Sequence, residues 1–370
     1  MERSTRYTVI GAGHGGKAMA AHLGLMGFPV TLYNRTAANV AAIRARGGID
    51  LKSEIEGAQG FGPLRAVTSD MAEALAEAEV IMVVVPASAH GDIARVAAPH
   101  LQDGQIVVLN PGRTGGAIEF SKVLRDQGCR ADVMVAEAET LIYASRSEGP
   151  AQARIFRIKD AVPLAALPAT RTQRVLEKLR QAYPNFIDGG NVLCTSLNNM
   201  GAIFHPALTL LNAARIESTR GEFQFYIDGV TTSVARVLEA LDRERVTVAS
   251  ALGIRAQTAI EWLQKAYDAR GSDLNEAIHN NAGYYGIKAP VSLQHRYIFE
   301  DVPMSLVPIA SLGARFGVRV RAMESIIRLA CIVHQTDYWR RGRTLDKLGL
   351  EDLSVSELRA YVETGVLPDS

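Results

Sequence analysis

The sequence is poor in cysteine and nearly balanced in charge, and both properties narrow what the protein can be. Its 370 residues include three cysteines, Cys129, Cys194 and Cys331, which lie far apart and form no CxxC pair. This spacing excludes a disulfide framework and a cysteine-ligated zinc site, and no metal site is predicted. Basic residues number 40 and acidic residues 39, so the formal net charge is +1. Nucleic acids and anionic membrane surfaces need clustered positive charge, so neither is expected as a partner.

Long apolar runs are also missing. No uninterrupted apolar stretch approaches the roughly 18 residues that a membrane-spanning helix needs. The residues before the first apolar run contain no apolar segment with a small-residue cleavage site, which a secretory signal requires. We therefore expect a cytoplasmic protein with no membrane partner. The remaining composition, 48% apolar and 21% charged, is that of an ordinary globular protein.

The first half of the chain alternates short apolar runs with longer segments of helical spacing. This alternation predicts an α/β domain, in which helices cover a doubly wound parallel sheet. The predicted strands cover 7–10, 30–33, 80–85, 106–109 and 133–136, and two later strands, 154–158 and 164–167, are expected to extend the same sheet. The intervening helices are predicted over 17–26, 36–46, 71–77, 91–99 and 116–127.

The second half changes character, because its long segments have helical spacing and almost none is typical of a strand. Helices are predicted over 193–217, 223–252, 258–269, 302–316 and 321–338. We place the boundary within Ile187-Asp188-Gly189-Gly190, which gives a dinucleotide-binding Rossmann domain over 1–188 and a mainly helical substrate domain over 189–370. Both lengths are ordinary for domains.

A glycine-rich loop follows the first predicted strand. The segment Gly11-Ala12-Gly13-His14-Gly15-Gly16 fits GxGxxG and opens a predicted helix at the start of a βαβ unit. In such a loop Gly11 permits the tight turn, Gly13 lets the backbone approach a pyrophosphate, and Gly16 lets the helix pack closely on the strand. The free N–H groups of the helix N-terminus then bind the phosphate oxygens. The alternative is a glycine-rich turn without a ligand.

The end of the second predicted strand indicates which nicotinamide cofactor is bound. NAD sites place an acidic residue there to bind the ribose 2′-hydroxyl, whereas this chain has Asn34-Arg35-Thr36. Arg35 is suited to pair with a 2′-phosphate, assisted by the Asn34 amide and the Thr36 hydroxyl. NADP(H) is therefore predicted in preference to NAD(H). The alternative reading has Arg35 stacking on the adenine or standing in solvent at a helix start.

Two turns at the carboxyl ends of later strands are further candidates for the cofactor site. Pro86 follows the strand at 80–85, and Asn110 follows the strand at 106–109. In doubly wound sheets this edge is where cofactor and substrate meet. Asn110 is predicted to contact the nicotinamide half, and the equally weighted alternative is a turn-forming Asn-Pro-Gly.

Two clusters in the second half carry candidate catalytic groups. His205 lies in a strongly apolar helical segment, where Pro206 must distort or end the helix. A reductase needs a proton donor near neutral pH, and histidine is the usual one, although a lone histidine of this kind is more often a core residue. The segment Arg296-Tyr297-Ile298-Phe299-Glu300-Asp301 places a cation beside two carboxylates. Such groups are paired or functional if buried, and the alternative is an exposed ion pair with Asp301 capping a helix.

Several segments together resemble the opine dehydrogenases, of the octopine and nopaline dehydrogenase type, over nearly the whole chain. The segments are the loop at 11–16, Asn110-Pro111-Gly112-Arg113-Thr114-Gly115-Gly116, the stretch from Asn199 to His205-Pro206, Leu211-Asn212-Ala213-Ala214-Arg215, the segment at 296–301 and the tail at 343–350. The His-Pro and Arg-Tyr-x-x-Glu-Asp elements are far more specific than the glycine loop. The sequence departs from the resemblance at Asn34, because the resemblance implies an acidic residue at that position.

The resemblance implies a reductive condensation between small-molecule substrates. An amino acid and a 2-oxo acid such as pyruvate form an imine, which NAD(P)H reduces to a secondary-amine dicarboxylate. By the matching motifs, His205 is the general acid/base, Asp301 orients it, and Arg296 holds a substrate carboxylate. Asn199 is expected to hold the substrate or the nicotinamide amide, with a polar helix residue as the alternative. The chemistry asks for the same residue types, since imine formation and reduction both move protons.

Two other functions stay open. A simple NADP-dependent reductase of a 2-oxo acid, of the ketopantoate reductase or glycerol-3-phosphate dehydrogenase type, shares the N-terminal unit but favours a lysine acid. Lys122 and Lys159 do not lie in a matching helical element. A non-catalytic NADP(H) sensor would have no need of a proton donor. The sequence leaves the amino acid undetermined, and it leaves a homodimer open because the apolar helical stripes are equally explained by the domain's own core.

Overall fold

The computed structural model describes residues 4–367. The chain forms two compact units. The first contains the chain up to Gly112, the segment Gly116–Thr195 and the chain from Ala360 onward. The second contains Ser196–Arg359 and, from the middle of the first unit's sequence, the three residues Arg113–Gly115.

The strands of the first unit form two sheets. The twelve strands of the described residues are β1 Tyr7–Ile10, β2 Val30–Tyr33, β3 Gly48–Ser53, β4 Gly60–Pro63, β5 Ala66–Thr68, β6 Val80–Val83, β7 Ile106–Leu109, β8 Met134–Ala138, β9 Tyr143–Gly149, β10 Gln152–Ile158, β11 Val162–Leu167 and β12 Phe186–Asp188. The larger sheet has the order β12-β11-β8-β7-β6-β1-β2-β5, and all its neighbouring pairs are parallel except β11 with β8. The strand order reverses between β1 and β6, which is where doubly wound sheets bind a dinucleotide.

The predicted α/β fold of the first unit is confirmed, but one of its strands was assigned to the wrong sheet. The strand predicted at 154–158 lies within β10, and β10 belongs to a second sheet of order β4-β3-β10-β9 instead of extending the first. The physical reason is the short turn between β9 and β10, which lets these two strands pair with each other as a hairpin. The place beside β8 in the main sheet is taken by β11.

The core of the first unit explains why its central strands are so apolar. Strands β1, β6 and β7 are buried along their whole length, as expected for a sheet covered on both faces. The helices of this unit are α1 His14–Leu25, α2 Ala41–Arg46, α3 Met71–Leu75, α4 His90–Ala97, α5 Gly116–Asp126 and α6 Thr172–Leu179. Helix α1 contributes Ala18, Met19 and Leu23 to the core, each of them fully enclosed.

The rest of the chain is helical, as predicted. The helices are α7 Val192–Leu197, α8 Gly201–Leu211, α9 Ala213–Thr219, α10 Thr232–Ala251, α11 Ala259–Tyr267, α12 Leu274–His279, α13 Arg296–Phe299, α14 Val307–Arg315, α15 Arg321–His334, α16 Tyr338–Arg341, α17 Leu345–Leu348 and α18 Val355–Thr364. In the described part of the chain, no helix combines the length and apolarity needed to span a membrane.

The helices of this half differ in their bounds from the predicted ones. The segment predicted as one helix over 193–217 forms α7, α8 and α9, and the segment over 321–338 is divided between α15 and the start of α16. The helix predicted over 223–252 begins only at Thr232, because the Thr231 hydroxyl caps it by accepting the Val234 N–H. The segment predicted as a helix over 302–316 opens with a π-helical turn, Val302–Leu306, before α14 begins. Pro206 does not end its helix, since α8 continues to Leu211 around it.

Candidate active site

The glycine loop has the geometry that a phosphate cradle requires. Gly11 has a φ of +112°, a left-handed conformation that favours glycine, and a Cβ there would lie 2.4 Å from the Val84 carbonyl oxygen. A Cβ on Gly16 would lie 1.9 Å from the Gly11 carbonyl oxygen, so helix and loop touch. A Cβ on Gly13 would meet nothing within 4 Å. The chain is therefore closed around Gly11 and Gly16 and open at Gly13, where α1 presents its N-terminal N–H groups.

The three residues predicted to select the cofactor lie directly after β2. Asn34 Oδ1 accepts a 3.4 Å hydrogen bond from the Ala12 N–H of the glycine loop, and its Nδ2 donates to the Thr36 carbonyl at 3.0 Å. Asn34 thus ties the end of β2 to the loop. Arg35 and Thr36 are exposed, so both side chains are accessible to a ligand.

Pro86 and Asn110 lie at the carboxyl ends of β6 and β7, and their surroundings differ. Pro86 is exposed and precedes a short 3-10 turn. Asn110 is buried, and its Nδ2 donates to the Val108 carbonyl of its own strand at 2.8 Å. The Asn110 Oδ1 is buried and, among the described residues, accepts no hydrogen bond. Pro86 therefore stands at the surface of this edge and Asn110 inside it.

The second unit brings His205 and Asp301 together, although 96 residues separate them in sequence. His205 lies on α8, and Asp301 lies between α13 and the π-helical turn. The His205 Nδ1 is 2.9 Å from the Asp301 Oδ2. Asp301 is fully buried, whereas the His205 side chain is 19% exposed. The alternative of an exposed, helix-capping Asp301 is therefore wrong: the carboxylate is buried and makes no capping bond.

An aromatic ring covers His205. The Tyr297 ring stacks on the imidazole with centroids 4.0 Å apart and an interplanar angle of 17°. Phe225 stacks on Tyr297 in turn, with centroids 5.4 Å apart. The Tyr226 side chain hydrogen-bonds to Tyr297, and burial raises the pKa of the Tyr297 hydroxyl. With Asp301 on Nδ1 and Tyr297 on one face, the imidazole has a defined orientation.

A buried arginine completes the surroundings of Asp301. Arg113 Nη1 lies 3.1 Å from Asp301 Oδ1, and Arg113 Nε lies 3.3 Å from Glu300 Oε1. The first contact is a close ion pair without hydrogen-bond alignment, since Oδ1 accepts no hydrogen bond among the described residues. The Arg113 and Glu300 side chains are only 8% and 3% exposed. Two carboxylates and one guanidinium are thus buried together.

These neighbours control the charge of Asp301. Burial alone would raise the pKa of its carboxyl group, but the Arg113 guanidinium and then His205 outweigh burial and hold the pKa below its ordinary value. Burial likewise would lower the pKa of Arg113, and the Asp301 and Glu300 carboxylates raise it instead. Asp301 and Arg113 are therefore both ionised at neutral pH.

Arg296 is the exposed cation of the site. Its side chain is 52% exposed, and its Nε lies 3.2 Å from Glu300 Oε2, one helical turn further along the chain. Arg296 also contributes to the lowered pKa of Asp301. Its position leaves guanidinium N–H groups accessible at the surface of the second unit.

Asn199 is buried, and both ends of its amide face protein groups. Its Nδ2 donates to the Ser305 hydroxyl at 2.8 Å and lies 3.4 Å from the Thr114 hydroxyl. Its Oδ1 lies 3.5 Å from Arg113 Nη1. The structure thus places Asn199 next to the guanidinium of Arg113.

The sequence assigned nothing to Arg113 and Tyr297, which appeared only within longer motifs, and it indicated Glu300 only as one of the two carboxylates near Arg296. Arg113 is 187 residues from Glu300, so no local spacing pairs the two. The available signal was an arginine in a glycine-rich turn directly after a strongly apolar strand, where an unpaired cation is costly.

The arrangement has the parts of a proton-transfer site with an adjacent anion receptor. A histidine whose Nδ1 faces a buried carboxylate has its tautomer fixed, so its Nε2 can give and take protons at a reacting atom. An exposed guanidinium on the neighbouring helix is suited to bind a carboxylate. In the described residues, no group of three or more potential ligands is arranged to hold a metal ion.

Family models match a segment in each half of the chain. Residues 188–334 match the model described as "NAD/NADP octopine/nopaline dehydrogenase, alpha-helical domain", and residues 6–129 match "NAD binding domain of 6-phosphogluconate dehydrogenase". An opine dehydrogenase from Arthrobacter sp. (strain 1C) is 39% identical over 363 residues, which cover 98% of this chain and 100% of that protein.

Solved structures have the same fold at lower sequence identity. An octopine dehydrogenase in complex with NADH and agmatine superimposes with a TM-score of 0.83 at 20% identity, over 99% of this chain and 100% of the other. A yersinopine dehydrogenase bound to NADP+ superimposes with a TM-score of 0.70 at 16% identity, over 97% of this chain and 98% of the other.

Proposed function

The chain belongs to the opine dehydrogenase family and is an NAD(P)-dependent dehydrogenase, and from this premise we propose the reaction that it catalyses. It condenses an L-amino acid with a 2-oxo acid such as pyruvate and reduces the resulting imine to an N-carboxyalkyl amino acid, and it also catalyses the reverse oxidation. The observation that carries this proposal is the His205–Asp301 pair, a buried carboxylate 2.9 Å from the Nδ1 of a partly exposed histidine.

His205 acts as the general acid and base of this reaction. Imine formation expels water from the amine and the oxo acid, and both addition and elimination require proton transfers. Asp301 faces Nδ1, so the protons are exchanged at Nε2, and the ionised carboxylate stabilises the imidazolium form. The nicotinamide cofactor supplies the hydride when bound. Tyr297 limits rotation of the imidazole by stacking on its face.

Arg296 holds a substrate carboxylate. Both substrates carry a carboxylate beside the reacting carbon, and a guanidinium offers two parallel N–H donors for such a group. Arg296 is suited because its side chain is half exposed and its Nε is already oriented by Glu300.

Agmatine in the octopine dehydrogenase structure and NADP+ in the yersinopine dehydrogenase structure support a cofactor plus an amine as ligands.

The residues of the first unit fit a dinucleotide, with NADP(H) preferred over NAD(H). Gly13 leaves space at the N-terminus of α1 for the pyrophosphate. Asn34 is bonded to the loop, and no acidic residue stands at the end of β2 to repel a 2′-phosphate. Arg35 is exposed and free to pair with that phosphate. Thr36 adds a hydroxyl at the same place.

The deciding experiment is a screen of the twenty amino acids with pyruvate, using NADPH and NADH in parallel. We expect cofactor oxidation only when oxo acid and amine are both present, with a secondary-amine dicarboxylate found by mass spectrometry. If pyruvate alone causes oxidation of NADPH or NADH, and the rate is unchanged by any amine, the protein would be a simple 2-oxo acid reductase. Cofactor binding without turnover across the panel, including other 2-oxo acids, would favour a sensor.

A further inference from the structure

The guanidinium of Arg113 lies between the two buried carboxylates next to His205. It contacts Asp301 through Nη1 and Glu300 through Nε, and Nη1 also faces the amide oxygen of Asn199. Arg113 is the first residue of the segment Arg113–Gly115, which belongs to the second unit although its neighbours in sequence belong to the first. Its φ is +61°, in the left-handed region that residues with a side chain rarely adopt. A residue is retained in that conformation only when its surroundings hold it there.

We propose that Arg113 is a positioning residue of the proposed reaction: it holds the Asp301 carboxylate so that Oδ2 faces the Nδ1 of His205, and Glu300 balances its charge. The proposal rests on the function proposed above. Arg113 acts through Asp301 and does not itself contact substrate.

The division of the Asp301 oxygens supports this role. Oδ2 faces His205 and Oδ1 faces Arg113, so the carboxylate is held from both sides. Without the Arg113 guanidinium, the fully buried carboxylate would have only His205 in contact with it and the more weakly interacting Arg296 to offset its charge. Such a group rotates toward a better donor or takes up a proton, and either change removes the orienting contact on His205.

Glu300 explains why a buried arginine is tolerated here. Arg113 carries one positive charge against two neighbouring carboxylates, and Glu300 in turn faces Arg296 through its second oxygen. The charges therefore alternate from Asp301 through Arg113 and Glu300 to Arg296, and His205 joins this series when it is protonated. Because each of the two carboxylates lies within 3.3 Å of a guanidinium, the removal of any charged member changes the electrostatic potential at the others.

Arg113 differs from Arg296 in what its donors can reach. The Arg113 side chain is 8% exposed, and its Nε and Nη1 face Glu300, Asp301 and Asn199, so these donors are directed at protein groups instead of at a substrate. Asn199 is itself held by the Ser305 hydroxyl. Arg113 is thus enclosed by polar protein groups, as expected of a residue that orients a catalytic group.

The other titratable groups around the His205–Asp301 pair come from two segments. On the segment of α13 and its cap, these are His295, Arg296 and Tyr297, and burial followed by Arg296 and His205 lowers the pKa of His295. From the turn before α10, Tyr226 also interacts with Asp301. Arg113 and Glu300 carry opposite charges next to this pair. Removal of one or of the other is therefore expected to shift the pH profile in opposite directions.

The test compares Arg113→Met, Arg113→Lys and Glu300→Gln with wild type, using pyruvate and the best amino acid from the screen. Loss of the cation in Arg113→Met favours proton retention by the pair, so we expect the alkaline limb of the reductive pH profile to move up by about one pH unit. Its kcat falls about 10²-fold while the KM for pyruvate stays within about 3-fold, the split expected when a general acid is misplaced. Arg113→Lys restores part of kcat. Glu300→Gln removes an anion and moves the limb the opposite way, to lower pH.

A matched control separates positioning from mere structural support. Arg245 is also fully buried and pairs with Asp242, so Arg245→Met removes a buried cation from elsewhere in the same unit. We expect it to lower Tm and leave the limb unmoved. A folded Arg113→Met with a wild-type pH profile would overturn the proposal. If Arg113→Met does not fold, Glu300→Gln decides, and an unmoved limb overturns it.

A second readout keeps this test apart from the test of function. In histidine-labelled enzyme without substrates, the NMR resonances of the His205 ring are followed after assignment with His205→Asn. We expect these resonances to shift in Arg113→Met relative to wild type, because the carboxylate that faces Nδ1 is no longer held in place. This shift is measurable even if the screen finds no condensation, which would sink the proposed function alone. Unchanged His205 resonances would sink the positioning role alone.

Discussion

The glycine loop of the first unit and the charge cluster of the second differ in how they are built. The loop is one contiguous segment, and its geometry depends on the absence of side chains at Gly11 and Gly16. The cluster joins side chains from four separated parts of the chain, carried by the segment at 113–115, Asn199, His205 and the segment at 296–301. A site made of backbone can be recognised from a local motif, whereas a site made of distant charges exists only after folding.

The two units also treat buried titratable groups differently. In the first, His22 lies 2.8 Å from the Tyr143 hydroxyl, and burial lowers the pKa of His22 to about 4 and keeps it neutral. In the second, Arg113 and Asp301 are buried as ions. Neutral burial suits a scaffold, while paired ions give a neighbouring histidine a fixed electrostatic environment.

The largest expected effect breaks the second region alone. His205→Ala removes the proposed proton donor, so we expect kcat to fall at least about 10²-fold, with the cofactor Kd unchanged because the glycine loop is intact. Steady-state kinetics and cofactor titration by fluorescence check the two parts. Asp301→Ala is expected to lower kcat similarly, since it leaves His205 without its partner.

The control is His100→Gln, which changes a partly exposed histidine in a surface turn of the first unit. It should leave kcat at the wild-type value. Near-full turnover by His205→Ala or Asp301→Ala would contradict the assignment of these residues.

The next effect separates two glycines within the loop. Gly16→Ala places a Cβ 1.9 Å from a backbone oxygen, so loop and helix must move apart, and we expect both Tm and cofactor affinity to fall. Gly13→Ala meets nothing in the protein but occupies the space left for the pyrophosphate. Its Tm should stay at the wild-type value while the cofactor KM rises roughly 10-fold, about 1.4 kcal/mol. Equal losses of Tm in both variants would mean that Gly13 is structural.

A pH measurement tests the neutral histidine of the first unit. The folded pKa of His22, about 4, is below the ordinary value of 6.5, so the unfolded chain binds more protons between these pH values. Stability is therefore complete above pH 6.5 and is lost as pH falls toward 4, by about 2 kcal/mol at pH 5. His22→Gln removes the titrating ring, and urea unfolding at pH 7 and pH 5 should then show a smaller difference. The same difference in variant and wild type would refute the account.

Features that depend on neighbouring residues could be predicted from the sequence, and features that depend on contacts between distant residues could not. The Rossmann half, the helical half and the glycine loop were predictable, because hydrophobic periodicity and a contiguous motif are local properties. The second sheet was not, since the pairing of β3 with β10 joins segments about 100 residues apart. Within the candidate site, His205, Asp301 and Arg296 could be proposed from motif resemblance, and their roles stay predictions. Arg113 could not be proposed in this way, because its contacts with Glu300 and Asp301 join residues nearly 190 positions apart.

The smallest expected effect concerns Arg35. It compares two kinds of cofactor contact within the first unit, those of the glycine-loop backbone and that of the Arg35 side chain. The glycine loop is proposed to bind the pyrophosphate, which both cofactors share, so it is not expected to distinguish NADPH from NADH. That choice depends on the exposed residues after β2, where Arg35 supplies the only charge in Asn34-Arg35-Thr36. Arg35→Ser should raise the KM for NADPH about 10-fold, as expected for loss of one charge-assisted contact, and leave the KM for NADH unchanged. Arg44→Ser, on an exposed arginine of α2 that donates to the Val67 carbonyl, serves as the control. If Arg35→Ser weakens both cofactors equally, Arg35 contacts the adenine that both cofactors share; if wild type prefers NADH and Arg35→Ser changes neither KM, Arg35 stands in solvent; in both cases it does not pair with a 2′-phosphate.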